Sequence, residues 1–300
     1  MALLVFLTFL SLIVNQYVPV WMKDSEASHM DTAVGQFADI KGAIDFEALG
    51  ALMAGNAGAV FVPSTTSTAV TLGVDGVPIF SSPSTGSLLS NPDGAPWSVW
   101  FQYKITGVTT TVSQIANGSL DLSLQNRYFS AGDIVYENGA VIRSQPDGQV
   151  VRAAPTFQAT TSGPNLNVAF ELVNLYGSGS AAGTSTQIVS TKVFAVNQQT
   201  YANLSSRLYV NHTSTYGLAW FNFFNSTLSS SLKTSTAFSY TSTIVKTTVT
   251  TAYYSLTLIP NPATRLYTLN VVIYNSPLFL TFTLQQAYVN IGIGGSSSTV

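Results

Sequence analysis

The chain has 300 residues and a formal net charge of −2, with only 8% charged residues, two histidines and no cysteine. An ordinary soluble protein carries about 25% charged residues, so solubility here has to come from hydroxyls and carboxamides, to which sugars could add. The same counts exclude a disulfide framework, a thiol nucleophile and a metal centre of three histidines, the placement of His29 on the acidic helix and His212 in a sequon speaks against one of two, and without a basic stripe nucleic acid is not a primary partner.

Residues 1–22 contain no charge and are followed at once by Lys23 and Asp24. Ala2 to Met22 is about 21 residues, which as a helix crosses about 30 Å of hydrocarbon. Thr8 and Ser11 can bond back to the preceding turn, Asn15 and Gln16 are costlier, and Pro19 removes a donor and predicts a kink. Tyr17 and Trp21 stand just before Lys23, where amphipathic rings favour a membrane boundary. No basic leader precedes this run and no small-residue cleavage site follows it, so it reads as an N-terminus already trimmed, with Met1 either the initiator or the first residue left after processing.

The helical pattern continues past the charge boundary. Met30, Val34, Phe37, Ile40, Ile44, Ala48 and Leu52 recur on one face, with Asp31, Asp39, Asp45 and Glu47 between them. Gly50, Gly55, Asn56, Gly58 and Pro63 supply the stop. A helix over 1–55, apolar all round in its first part and one-sided in its second, needs several neighbours to cover it.

From residue 58 to 300 the texture is β. Asn138-Gly139 between Ile134–Glu137 and Ala140–Arg143, then Pro146-Asp147-Gly148 before Gln149–Val151, predict consecutive hairpins. Alternation over Thr251–Leu258, Leu266–Tyr274 and Leu278–Ile293, broken by Pro260-Asn261-Pro262 and Asn275-Ser276-Pro277, predicts a meander or sandwich. The Gly, Ser and Ala-rich stretch 177–186 is either a surface loop or a divide between two sheets, and a single head is the simpler reading. The fold class expected is α+β, a long N-terminal helix followed by a β-rich, sandwich-like head.

The apolar MALLVFLTFLSLIVNQYVPVW followed by the amphipathic KDSEASHMDTAVGQFADIKGAIDFEAL resembles the type IV pilin superfamily as it occurs in archaea, including archaellins. VYENGAVIRSQPDGQVV is similar, more weakly, to archaeal pilin-like surface proteins. Val5 stands where bacterial pilins usually carry a glutamate, and the Gly-Ile-rich opening of archaellins is absent, which turns the resemblance toward an archaeal pilus-like filament. It implies a homopolymer whose core is made by Leu3, Leu4, Phe6, Leu7, Phe9, Leu10, Ile13, Val14, Met30, Val34, Phe37, Ile40 and Ile44, with the head outside. It further implies a membrane-inserted precursor, export and processing machinery as partners, and no cofactor. The ten large apolar side chains between Leu3 and Val14 represent about 15–30 kcal/mol gross when removed from water, against about 4–15 kcal/mol for association. Inside lipid the same side chains gain little by packing, which allows a membrane-held pool of subunits.

Residues 1–171 hold all thirteen carboxylates against six Lys or Arg, while 172–300 hold Lys192, Arg207, Lys233, Lys246 and Arg265 and no acid, so a basic outer sheet could meet the acidic helix of a neighbouring subunit. Asn-x-Ser/Thr sequons occur at Asn117, Asn203, Asn211 and Asn225, and the Ser/Thr-rich surroundings of Asn211 and Asn225 make these the better N-glycan acceptors. Catalytic material is scarce. His29 lies on the acidic helix, and a Ser-His-Asp triad would have to draw His212 from a half of the chain without carboxylates. Asp133 and Glu137, four apart in a strand, stand about 13 Å apart, too far for paired acid/base work. The expected function is therefore a non-enzymatic filament subunit displaying an adhesive head, and the alternative is a single-pass membrane-anchored adhesin that does not polymerise.

Overall fold

The computed structural model describes residues 2–76, 81–233, 241–243 and 246–294; Met1, and with it the question of processing, lies outside them. The fold is α+β, a long N-terminal helix and a β-rich head. Helix α1 (Ala2–Leu12) runs through a π-helical turn (Ile13–Tyr17) into α2 (Val18–Asn56), so 55 residues form one rod. A π turn precedes Pro19. Proline has no N–H to give and crowds the preceding turn, and the helix widens there, with the Val18 N–H donating to the Ile13 carbonyl five residues back. The rod ends at Asn56, and Gly58 takes a left-handed φ of 67° just beyond.

Eighteen strands among the described residues form three sheets. The five-stranded sheet has the order β1 (Thr66–Thr71), β12 (Thr186–Tyr201), β18 (Phe279–Ile293), β10 (Asn165–Tyr176), β9 (Phe157–Ser162), with β10 and β18 parallel. The six-stranded sheet has the order β11 (Gly179–Gly183), β2 (Thr85–Asn91), β5 (Ser119–Gln125), β6 (Gly132–Glu137), β7 (Ala140–Gln145), β8 (Gly148–Ala153). The seven-stranded sheet has the order β14 (Thr241–Thr243), β15 (Lys246–Thr250), β16 (Tyr254–Asn261), β17 (Leu266–Ile273), β13 (Leu208–Ser214), β3 (Trp97–Ile105), β4 (Val108–Ala116). The Gly-Ser-Ala stretch 177–186 thus contains an edge strand, β11, paired with β2.

Two apolar cores result, and the long strands of the five-stranded sheet belong to both. Leu166, Val168, Phe170 and Leu172 of β10, with Leu280, Phe282 and Leu284 of β18, face the seven-stranded sheet and α3 (Gly217–Ser231). Farther along, Val173 and Leu175 of β10, with Ala287, Val289 and Ile291 of β18, enter the other core with α2 and the six-stranded sheet. Because side chains alternate across a strand, this exchange uses opposite faces of one sheet and joins both cores through continuous backbone.

The rod is fixed to the head by polar bolts at both ends of its embedded stretch. Glu26, fully buried, accepts backbone N–H bonds from Arg127, Tyr128 and Phe129 at 3.0, 2.7 and 2.6 Å and a hydroxyl bond from Ser84. Farther along, the His29 Nε2 donates to the Thr71 carbonyl and Gln36 accepts from the Thr71 N–H. At the far end Glu47 accepts from the Val193 N–H at 2.9 Å and from the Ser64 hydroxyl. From Glu26 to Glu47 the helix advances about 30 Å, so it cannot swing against the head.

Burial pushes the Glu26 carboxyl up, but the Ser84 hydroxyl and the three N–H groups outweigh it, and its pKa lies below the ordinary carboxylate value. A carboxylate depressed in the folded state stabilises the fold above its unfolded pKa, and that contribution is lost as pH falls through the folded value. Glu26→Ala leaves three neighbouring donors without an acceptor and is expected to destabilise the full chain by about 3 kcal/mol at neutral pH, with the difference shrinking on acidification, as read by denaturation in detergent.

Candidate functional site

The helix carries the two surfaces that the head leaves uncovered. Leu3, Leu4, Val5, Phe6, Leu7, Phe9 and Leu12 are all exposed, and the first buried residue of the rod is Val18. Residues 2–17 therefore project as about 24 Å of bare apolar helix, short of the roughly 30 Å of a bilayer core. Val18 and Met22, expected within the hydrophobic segment, are instead covered by the chain itself. By length and composition this rod is the one helix among the described residues able to cross a membrane.

The second surface lies at the other end of the rod. Phe46, Leu49 and Met53 recur at i, i+3 and i+7 and are exposed, Phe46 by 79%, and the extended chain that follows adds exposed Val60 and Val62. They continue two seven-residue progressions of outward positions, Ser28-Gly35-Gly42-Leu49 and Thr32-Asp39-Phe46-Met53. A repeat of seven drifts little on a helix, so this is one nearly straight outer face. Gly35 and Gly42 have open space where a side chain would stand.

The expected polymerisation residues divide into two groups. Leu3, Leu4, Phe6, Leu7 and Phe9 are exposed and Leu10, Ile13 and Val14 half-buried, all on the projecting segment. Met30, Phe37, Ile40 and Ile44, 0–1% exposed, are a correction: they fill the head's own core against the five- and six-stranded sheets, with Val34 packed beside them, and are not available to another molecule. Periodicity located the apolar face correctly but not its partner. The stripe Phe46-Leu49-Met53 was the readable signal that a second, outward face exists.

The acidic side of the proposed subunit contact is also reduced, because Glu26 and Glu47 are held inside the subunit and Arg143 already meets Asp31 at 3.4 Å. Among the sequons, Asn203 is exposed in a bend at φ 52°, whereas Asn117, Asn211 and Asn225 are half-buried. Asn211 lies mid-strand in β13, and Asn225 sits on α3 with its Oδ1 accepting from the Tyr254 hydroxyl at 3.5 Å.

One buried polar cluster was not foreseen. Glu137, at the end of β6, meets the His212 Nε2 at 2.6 Å and accepts from the Trp220 indole N–H at 2.5 Å, both carboxylate and imidazole being 1% exposed. The half of the chain without acids therefore does receive a carboxylate, from a strand 75 residues away. His212 Nδ1 donates to the Pro96 carbonyl at 3.1 Å, and Trp97 stacks on the imidazole at 3.8 Å. No serine or threonine hydroxyl among the described residues is bonded to His212, and the pair links β6, β13 and α3.

Asp133 accepts from the Ser123 hydroxyl and Asp121 from that of Ser119. Burial, reinforced by the charges of Glu137 and Asp133, pushes the Asp121 carboxyl up to about 6. The described residues contain no group of three or more His, Asp or Glu that could hold a metal ion. No family model matches the chain, and no curated protein or solved structure matches it.

A carboxylate raised in the folded state favours folding while protonated, and this advantage is lost as pH climbs from the unfolded value near 3.8 to about 6. Asp121→Asn should match the wild type in stability near pH 3.5 and exceed it at pH 7 by up to about 3 kcal/mol, measured as denaturation midpoints of the full chain.

Proposed function

We propose that this chain is the structural subunit of an extracellular type IV pilus-like filament, polymerising through its projecting helix and carrying the head outside for surface adhesion. The observation that supports it most is the pairing of two apolar surfaces on a single fixed rod, bare residues 2–17 at one end and Phe46, Leu49 and Met53 at the other. A lone membrane anchor accounts for the first surface and leaves the second facing water. Copies displaced along a common axis cover both, and the open faces of Gly35 and Gly42 let helices approach closely.

The membrane holds the subunit before assembly, and export and processing machinery hands it over. With about 24 Å of bare helix, an inserted subunit rests its head against the lipid headgroups, ready to be withdrawn. The interior of the head has the texture of a scaffold, its buried Glu137–His212 contact packed among aromatic rings rather than opened to a substrate.

Electron microscopy of sheared cell-surface material should show helical polymers composed mainly of this chain. Isolated molecules in detergent, contacting only lipid through residues 2–17, would instead establish the anchored adhesin. The double change Phe46→Asp with Leu49→Asp, on exposed positions, should abolish polymers while leaving circular dichroism and the denaturation midpoint of the subunit unchanged.

A further inference from the structure

We propose that the cleft between the last turns of α2 and the five-stranded sheet binds a neutral oligosaccharide. The cleft encloses about 530 Å³, within the roughly 300–1,000 Å³ of small-molecule sites. Ala51 and Asn56 form its helical wall, Gln114 of β4 a second, and Asn197, Gln198 and Gln199 of β12 a third. None of its lining residues is charged.

Two features select the ligand class. Each carboxamide presents two N–H donors and a carbonyl acceptor, the pattern that matches vicinal hydroxyls, which donate and accept together. The cleft also lies at the negative end of the α2 dipole with no Lys or Arg to offset it, which disfavours an anionic sugar. An apolar floor of Leu284 and the buried Tyr201 ring suits the C–H face of a sugar, and the Tyr201 hydroxyl is already spent on Gln199 Oε1 at 2.9 Å.

Gln286 carries the argument furthest. It is only 9% exposed and lines the cleft, yet its side chain has no hydrogen-bond partner among the described residues. Its amide faces the solvent of the cleft rather than the protein, so a ligand hydroxyl can replace water there at little cost.

This site deepens the adhesive part of the proposed function, but its test does not require polymerisation. The full chain, dispersed in a zwitterionic detergent lacking a sugar headgroup, would be titrated with maltotriose, cellotriose, mannotriose and trigalacturonate by calorimetry and saturation-transfer NMR. At least one neutral trisaccharide is expected to bind with a Kd of about 1 mM or tighter, and trigalacturonate more weakly. Gln286→Leu, and separately the exposed pair Asn197→Ala with Gln198→Ala, should each weaken binding at least about tenfold, the surface pair serving as the test if the buried change misfolds. The proposal is overturned if no neutral trisaccharide binds up to about 10 mM, if trigalacturonate binds as well as they do, or if the surface pair leaves affinity unchanged. Filaments seen without sugar binding would leave the polymer standing and remove only this site.

Discussion

The arrangement of the whole molecule depends on a carboxylate that has been taken out of water. Glu26 sits where the bare helix becomes an embedded one, and three successive backbone N–H groups close on it. Removing a charge from solvent is strongly unfavourable unless donors replace the lost hydration, so the loop 127–129 and the helix have a single low-energy mutual placement. Everything toward the N-terminus, the π turn and the exposed apolar segment, inherits its direction from that fixation. Glu47 repeats the device about 30 Å away and converts a point of attachment into a defined axis.

In the proposed filament a rigid axis would matter, because contacts made by a helix are sensitive to its rotation. Turning the rod by one residue moves the outer face by about 100°, which would carry Phe46, Leu49 and Met53 into the head and Met30 and Phe37 out of it. The apolar core residues resist such a turn only through shape, whereas a buried carboxylate forbids it. The sharing of β10, β12 and β18 between the two cores extends this rigidity to the far side of the head, since neither core can shift without the strands common to both.

Much of this was legible in the residues. The helix, its end near Gly58 and the hairpin at Asn138-Gly139 follow from local signals that act within a few residues. Even there the environment was hidden: the Asn138 side chain, read as a turn former, is buried and bonds the Glu171 carbonyl and the Val173 N–H of β10. Which partner covers an apolar stripe is not a local property, so Met30, Phe37, Ile40 and Ile44 looked the same whether their neighbour was another subunit or their own sheets. The Glu137–His212 pair lay beyond any periodicity because topology alone brings β6 beside β13 and α3. The carboxamide cleft escaped notice for the same reason, its walls coming from four separated segments.

The titratable interior gives the head an unusual balance toward acid. Fixing a rod with a depressed carboxylate, as at Glu26, makes attachment weaker as protons are added. Asp121, raised chiefly by burial to about 6, acts in the opposite direction. Glu171 joins it: burial pushes that carboxyl up, only partly offset by the hydroxyl of Thr156 and the amide of Gln285. As pH falls from about 6 toward the ordinary carboxylate values, Asp121 takes up a proton that the unfolded chain does not yet hold, and Glu171, also raised, works in the same direction, so these two groups favour the fold on mild acidification. Once pH falls below the ordinary glutamate value of 4.5, the attachment at Glu26 begins to lose its contribution. A surface with 8% charged residues adds little repulsion as this happens. The carboxylates whose proton affinity the fold shifts, among the described residues, are thus interior, and one of them, Glu26, sets the direction of the helix.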